Sequence, residues 1–223
     1  MKSASLCLPA SNPRRRFLSL AAPCLMVLAL GLFAAPARAQ TMVPVDQLMA
    51  PGPLPDLPLG SPTAPVTIVE YASMTCSHCA AFHETTWPAL KAKYVDPGKV
   101  QFILREYPLE PLAAAAFMLA RCAGPERRNA IVDLLYTQQK DWAFVEKPLE
   151  ALAALVKQAG VSQAEFESCL QNQALYDEVN KTHDLATEKF KVNATPTFFV
   201  NGLEMNGELP IGEFDKVLAP LLK

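Results

Sequence analysis

The chain has 223 residues, 51% of them hydrophobic and 19% charged, which excludes a disordered chain and a membrane protein with many spans. Five of its 20 basic residues and none of its 22 acidic residues precede residue 40, so the rest of the chain carries a net charge of −7. An acidic body without a basic run argues against nucleic acid as a partner. Metabolite-binding proteins and secreted enzymes remain possible.

Residues 1–39 have the pattern of an export signal. A basic segment ends at Arg16, an apolar segment covers residues 17–35, and an Ala-Arg-Ala triplet ends at Ala39. Small residues at the first and third positions of such a triplet fit the cleavage site of signal peptidase. We therefore expect cleavage after Ala39 and an exported mature protein.

Two alternatives remain for this segment. Residues 14–18 resemble a twin-arginine signal, which would imply export in the folded state, although other export signals also carry basic residues. An uncleaved membrane anchor is the second alternative. Ser19, Pro23 and Gly31 interrupt an apolar stretch that barely reaches the ~20 residues a spanning helix needs, so cleavage is favoured.

Export changes how the cysteines are interpreted. The signal contains Cys7 and Cys24, and the four cysteines of the mature chain are Cys76, Cys79, Cys122 and Cys169. In an oxidising compartment these four are candidates for disulfides first and for metal ligands second.

Residues 40–65 contain seven prolines and are expected to form an extended arm. Fixed φ angles and missing N–H donors exclude a regular helix or a central strand there. The β-branched run at 66–71 predicts a buried strand, and the run at 100–104 predicts a second one. The connection between them is predicted to be helical, so the three elements form a βαβ unit with the first loop at the carboxyl edge of the sheet.

The connecting helix is predicted from apolar spacings of three and four residues, with Thr75 as its N-cap and a kink at Pro88. The residues on its apolar face are Cys79, His83, Trp87, Leu90 and Tyr94.

Residues 111–190 change to helical periodicity. The predicted helices are 112–122, 126–139, 149–159, 162–172 and 174–190. Ser162 and Glu165 form a capping box that predicts a helix start. Because Cys122 and Cys169 fall on different helices of an exported protein, a disulfide between them is favoured over two buried free thiols.

The last part of the chain returns to β structure. Strands at 197–200 and 203–205 flank Asn201-Gly202, which predicts a hairpin with a type I′ turn, and a helix follows at 212–222. Neither β-rich piece can bury a core alone. We therefore expect one α/β domain built from residues 66–110 and 191–223, with residues 111–190 as an inserted helical domain.

The sequence Cys76-Ser77-His78-Cys79 at a helix start predicts redox chemistry. Unpaired N–H groups and the helix dipole stabilise a thiolate on Cys76, and His78 is expected to favour the same charged form. Cys79 is placed to attack a mixed disulfide formed by Cys76.

Two plainer interpretations compete with redox chemistry. A zinc site needs two further ligands, and the candidates His83, His183, Cys122 and Cys169 lack a second metal-binding spacing, so no metal is expected. A purely structural disulfide across two residues would remove little entropy from the unfolded chain.

Three separated motifs resemble the thioredoxin superfamily, and within it the periplasmic thiol:disulfide interchange proteins of DsbA type. They are the strand ending at Tyr71, the Cys-x-x-Cys helix start, and Thr195-Pro196 before a Phe-Phe strand. The resemblance covers about residues 62–223 and implies a thioredoxin fold with a central mixed sheet.

The resemblance also implies roles for residues. Cys76 would be the nucleophile and Cys79 the resolving cysteine, and a cis bond between Thr195 and Pro196 would let an extended client segment bind beside the sulfur. Glu70, at a strand end, is expected to be partly buried and to take the proton of Cys79; an exposed edge carboxylate is the alternative.

Two residues depart from the pattern of the strongest oxidases. Ser77 stands where those proteins often have proline, and Thr195 also occurs in isomerase-like relatives. Both side chains can form hydrogen bonds near the thiolate. The direction of exchange is therefore less defined than the exchange itself.

The leading hypothesis is a monomeric periplasmic oxidase that introduces disulfides into reduced exported proteins and is reoxidised by a quinone-linked membrane protein of DsbB type. The sulfurs carry the electrons, so no organic cofactor is expected. The alternatives are a reductase or isomerase of the same fold, although the short arm is too small for a dimerisation domain, and a copper- or zinc-binding or chaperone-like module. Four residues are either core or a client-binding surface, with core favoured: Met74, Phe82, Phe117 and Trp142.

Overall fold

A computed structural model describes residues 41–223, and the expected export signal lies outside this range. Its single sheet has four strands, which are β1 (Val66–Ala72), β2 (Val100–Glu106), β3 (Thr197–Val200) and β4 (Leu203–Asn206). The strand order is β2-β1-β3-β4. β1 is parallel to β2 and antiparallel to β3, and β3 is antiparallel to β4. This is the predicted mixed sheet of a thioredoxin fold.

The central strands are buried on both faces because side chains alternate between two hydrophobic clusters. Ile68 and Phe198 belong to the larger cluster, whereas Val69 and Phe199 belong to the smaller one on the other side. Both parallel strands continue for one or two residues beyond the predicted ends.

The helix after β1 differs from the prediction at both ends. α2 (Ser77–Thr85) has Cys76, not Thr75, as its N-cap, because the Cys76 sulfur accepts a hydrogen bond from the N–H of Cys79. The kink expected at Pro88 takes the form of a break at Thr86, followed by α3 (Trp87–Leu90) and a π-helical turn at Lys91–Val95. The Thr86 hydroxyl donates to the Leu209 carbonyl at 2.9 Å.

Six helices form the inserted block. They are α4 (Pro111–Cys122), α5 (Pro125–Thr137), α6 (Gln139–Trp142), α7 (Pro148–Gln158), α8 (Gln163–Leu170) and α9 (Gln173–Phe190). Ser162 caps α8 through the predicted capping box with Glu165. The expected Cys122–Cys169 disulfide is present and joins α4 to α8.

The hairpin between β3 and β4 has the predicted turn, with φ of 45° at Asn201 and 87° at Gly202. Any Cβ at Gly202 would overlap the carbonyl oxygen of Val43, so glycine is required for the close approach as well. The final helix is α10 (Ile211–Leu221).

The Pro-rich arm contains a regular element that its composition was expected to exclude. α1 (Val45–Leu48) is a single turn that begins directly after Pro44, where a missing N–H costs nothing. The arm pairs with both edge strands, through Met42 opposite Leu203 and Leu59 opposite Phe102.

The four apolar residues for which a client-binding surface was the alternative all belong to the core. Met74, Phe82, Phe117 and Trp142 are each at most 2% exposed. Between residues 41 and 223, no helix combines the length and apolarity needed to cross a membrane.

Candidate functional site

The surroundings of Cys76 at the start of α2 favour its thiolate on balance. Its sulfur accepts from the N–H of Cys79 at 3.3 Å, which favours the thiolate, whereas the thiol form donates to the Thr195 carbonyl at 3.3 Å. A hydrogen bond from the Cys79 thiol, then contacts from the Thr195 side chain and the N–H groups of Cys79 and His78, lower the pKa of Cys76 to about 6 against an opposing effect of burial. At neutral pH this sulfur is therefore largely ionised.

Cys79 lies one helical turn further in, where its surroundings shift its pKa in the opposite direction. It is fully buried, and burial, the contact with Cys76 and the charge of Glu70 raise its pKa well above the usual range. The two thiols are free in this structure, so it represents the reduced dithiol. Cys76 is therefore suited to be the leaving group, and Cys79 to hold a proton.

His78 favours the thiolate of Cys76 through its backbone and not through its ring. Its ring is 70% exposed and its Nδ1 lies 3.3 Å from the Glu208 carboxylate. Among the groups that lower the pKa of Cys76, His78 acts through its backbone N–H. Ser77 is exposed beside it.

The Thr195–Pro196 peptide bond is cis, as the resemblance implied. Thr195 is half-buried, and its carbonyl is the group that meets the Cys76 sulfur. The structure thus brings together residues that lie 119 positions apart in the sequence.

Glu70 is more buried than expected, because β1 continues to Ala72 and places it inside the sheet with no exposed surface. Its Oε2 lies 3.0 Å from Nε2 of His83, which is also buried. Within the described part of the chain, Glu70 Oε1 and His83 Nδ1 have no hydrogen-bond partner. The structure adds His83 to the site, and its position one turn after Cys79 on the same helix face was the signal that could have identified it.

Two further residues come from the inserted helices. Tyr136 stacks on the His83 ring at 4.2 Å between centroids and donates to the Ser73 carbonyl at 3.3 Å. The Gln139 amide donates to the carbonyls of Met74 and Cys76. The sequence contains no signal for these contacts, because they depend on how the insertion packs against the loop.

A groove of about 470 Å³ lies beside the dithiol. Its walls include Ser77 and His78 on one side and Tyr136 and Phe144 on the other. Phe144 is 61% exposed, so it gives the groove an apolar wall.

The candidate zinc ligands have other partners. Cys122 and Cys169 are bonded to each other, His83 is paired with Glu70, and His183 Nδ1 lies 3.0 Å from the Asp184 carboxylate. Over residues 41–223, no group of three or more His, Cys, Asp or Glu side chains is arranged to hold a metal ion.

Comparisons with known proteins are consistent with this geometry. Residues 54–219 match a family described as thioredoxin. A putative protein-disulfide oxidoreductase of Rickettsia typhi is 35% identical over 152 residues, which are 67% of this chain and 56% of that protein. A probable disulfide bond formation protein D of Bacillus anthracis is 30% identical over 65% of this chain and 69% of its own length. The chain therefore spans little more than half the length of the rickettsial relative.

Among solved structures, alpha-DsbA1 of Wolbachia pipientis superposes with a TM-score of 0.73 and 29% identity, covering 80% of this chain and 96% of that one. BdbD of Bacillus subtilis superposes with a TM-score of 0.66 at 22% identity, which supports the fold alone.

Proposed function

Because the chain belongs to this thioredoxin family, we propose that it is a DsbA-like protein thiol:disulfide oxidoreductase that acts through Cys76 and Cys79. The observation that carries the proposal is the contrast between the two sulfurs. Cys76 has a pKa of about 6 at a helix N-terminus, and Cys79 lies buried behind it with a raised pKa. This contrast makes Cys76 the sulfur that exchanges with a partner.

In the oxidising direction, a client thiolate attacks Cys76 of the Cys76–Cys79 disulfide. A mixed disulfide forms, the bond between the two enzyme sulfurs breaks, and Cys79 leaves and takes up a proton. The second client thiolate then attacks the client sulfur, and Cys76 leaves as a thiolate. The client loses two electrons and gains a disulfide, and the enzyme dithiol holds those electrons.

We propose that Glu70 and His83 handle the proton of Cys79. Both side chains are buried, they contact each other at 3.0 Å, and the charge of Glu70 acts on Cys79. In the reducing direction the same pair would receive the proton as Cys79 attacks the mixed disulfide.

Oxidation of clients is the favoured direction, since a stabilised thiolate favours the reduced form of the enzyme and makes its disulfide a stronger oxidant. Reduction or isomerisation is the second candidate, supported by Ser77 and Thr195, which depart from the pattern of strong oxidases.

The sequence supports the remaining parts of the proposal. The export pattern at residues 1–39 suggests a periplasmic protein that meets reduced exported clients. Electrons would then pass to a quinone-linked membrane protein of DsbB type. We propose a monomer without an organic cofactor.

The deciding experiment is a redox titration of the exported chain against glutathione, together with oxidation of a dithiol peptide. We expect an oxidising potential and peptide oxidation that is lost in Cys76→Ser but kept in a Cys122→Ala/Cys169→Ala control. A strongly reducing potential would reject the oxidase direction. Absence of exchange in the wild type would reject the function.

A second experiment separates enzyme from metal-binding module. A Cys79→Ala variant should trap mixed disulfides between Cys76 and clients, because the resolving thiol is gone. Copper or zinc retained on purification, without trapped clients, would favour the metal-binding alternative.

A further inference from the structure

The loop that carries the nucleophile is held by the inserted helices. The Tyr136 hydroxyl donates to the carbonyl of Ser73 at 3.3 Å, and the Gln139 side-chain amide donates to the carbonyls of Met74 and Cys76 at 2.8 and 3.0 Å. Residues 73–76 connect β1 to α2, so three of the four carbonyls in this loop are bound from the insertion.

The Gln139 amide is well placed to fix the loop. Its side chain is almost fully buried, and its nitrogen donates to both carbonyls. Burying an amide or a carbonyl without a hydrogen-bond partner costs free energy. The Gln139 amide and the two carbonyls therefore hold one another in place. Rotation of the loop would break both contacts at once.

The Cys76 carbonyl also belongs to the first turn of α2, where it accepts from the N–H of Ala80 at 3.1 Å. A bond from Gln139 to this oxygen therefore fixes the peptide between the nucleophile and the helix. That orientation directs the Cys76 sulfur at the N–H of Cys79, 3.3 Å away.

Tyr136, near the end of α5, connects the inserted helices to the surroundings of Cys79. Its ring stacks on His83, which contacts Glu70 behind Cys79. The corner between α5 and α6 is itself fixed, because the buried Trp142 indole donates to the Leu135 carbonyl at 2.9 Å. The insertion thus contacts both the loop that carries Cys76 and the buried Glu70–His83 pair.

We propose that Gln139 is a positioning residue for Cys76, with Tyr136 in a lesser supporting role, so that the inserted helical block sets the reactivity of the dithiol. This inference rests on the proposed function and assigns part of its control to residues of the inserted helices.

The test replaces Gln139 with methionine, which has a similar volume and no donor. We expect the pKa of Cys76 to rise from about 6 towards its ordinary value of 9, measured as the pH dependence of alkylation of the reduced protein. Each unit of rise weakens thiolate stabilisation about tenfold and makes the protein a correspondingly weaker oxidant of glutathione. Gln138→Met is the matched control, since the neighbouring Gln138 side chain donates to neither carbonyl, and its profile should match the wild type.

A merely structural role would lower the melting temperature of Gln139→Met and leave its alkylation profile in place, and that result would overturn the proposal. If Gln139→Met does not fold, Tyr136→Phe provides the same measurement, because it removes one hydroxyl and keeps the stacked ring. A smaller rise in the pKa of Cys76 is expected there, and an unchanged profile rejects the proposal.

A failure of this inference can be distinguished from a failure of the proposed function. A shifted pKa together with a wild type that fails to exchange disulfides would reject the function and keep the positioning role. Normal exchange in the wild type with no shift in the variants would do the reverse.

Discussion

Cys76 and Cys79 have the same side chain, yet their surroundings move their pKa values in opposite directions. Cys76 receives hydrogen bonds at a helix N-terminus, whereas Cys79 is buried near the charge of Glu70. The three-residue offset places one sulfur outside the first turn and the other within it. The chemistry therefore follows from position on the helix.

Thr195 gives a prediction at this scale. Its side chain is among the groups that lower the pKa of Cys76, so Thr195→Val should raise that pKa above about 6. The alkylation rate of the reduced protein, measured against pH, should show a midpoint shifted to higher pH. Thr85→Val, the same change on the exposed side of α2, is the control, and equal midpoints in both variants would contradict the assigned role.

The sequence was sufficient for residues whose role depends on local spacing, such as Cys76 and Cys79. It was insufficient where the role depends on a distant partner. The ring of His78 is paired with Glu208, 130 residues away, and the two carbonyls bound by Gln139 lie more than 60 residues before it. No short-range pattern contains that information.

At the scale of elements, helix starts show what periodicity misses. α4, α5 and α7 begin at Pro111, Pro125 and Pro148, one residue before the predicted starts. Proline is favoured at the first helical position because its missing N–H has no partner there anyway. Apolar spacing indicates which face of a helix is buried. The residue at which the first turn begins depends instead on capping and on the N-terminal proline.

The disulfide between α4 and α8 gives the second prediction. It closes a loop with a sequence separation of 47, so a Cys122→Ala/Cys169→Ala variant should lose about 2–4 kcal/mol of unfolding free energy. Urea unfolding measures the loss. Peptide oxidation should persist, because the active dithiol is separate, and loss of exchange in a folded variant would show that this bond has a redox role.

At the scale of the molecule, the arm is part of the fold. Asp56 forms two hydrogen bonds of 2.8 Å with Arg105, whose guanidinium also donates to the Leu48 carbonyl and the Tyr71 hydroxyl. Arg105 is 7% exposed, so the arm neutralises a cation that the sheet has buried.

The third prediction concerns Asp56, the acidic partner of Arg105. Asp56→Ala should lower the unfolding free energy by about 1–3 kcal/mol, because a charged donor group loses its acceptors in a largely buried place. Asp46→Ala, also in the arm and exposed, should stay within about 0.5 kcal/mol of the wild type in the same urea series. An equally small effect at Asp56 would mean that Arg105 finds other acceptors.

The fourth prediction concerns the stability of the fold at low pH. Glu106 is fully buried, and although burial opposes ionisation, Arg128 and Arg121 hold its pKa at about 2 against an ordinary value of 4.5. A carboxyl with a lowered pKa stabilises the fold above pH 4.5, and this stabilisation is lost as the pH falls towards 2. The loss is on the order of 3 kcal/mol.

Comparison of urea unfolding against pH in the wild type and in Glu106→Gln isolates this effect. The unfolding free energy of the wild type should fall between pH 4.5 and 2, and the slope in this window should flatten in Glu106→Gln. A slope that Glu106→Gln leaves unchanged would assign the acid sensitivity to other carboxyls.

The arm has one more consequence for a protein proposed to handle unfolded chains. Thr41 and Val43 bond to the β4 side of the sheet, and Leu59 exchanges both of its backbone bonds with Phe102 on the β2 side. An open sheet margin presents unpaired N–H and C=O groups, with which any extended polypeptide could pair. With both margins partly occupied by its own chain, the sheet leaves fewer unpaired backbone groups for such unproductive capture.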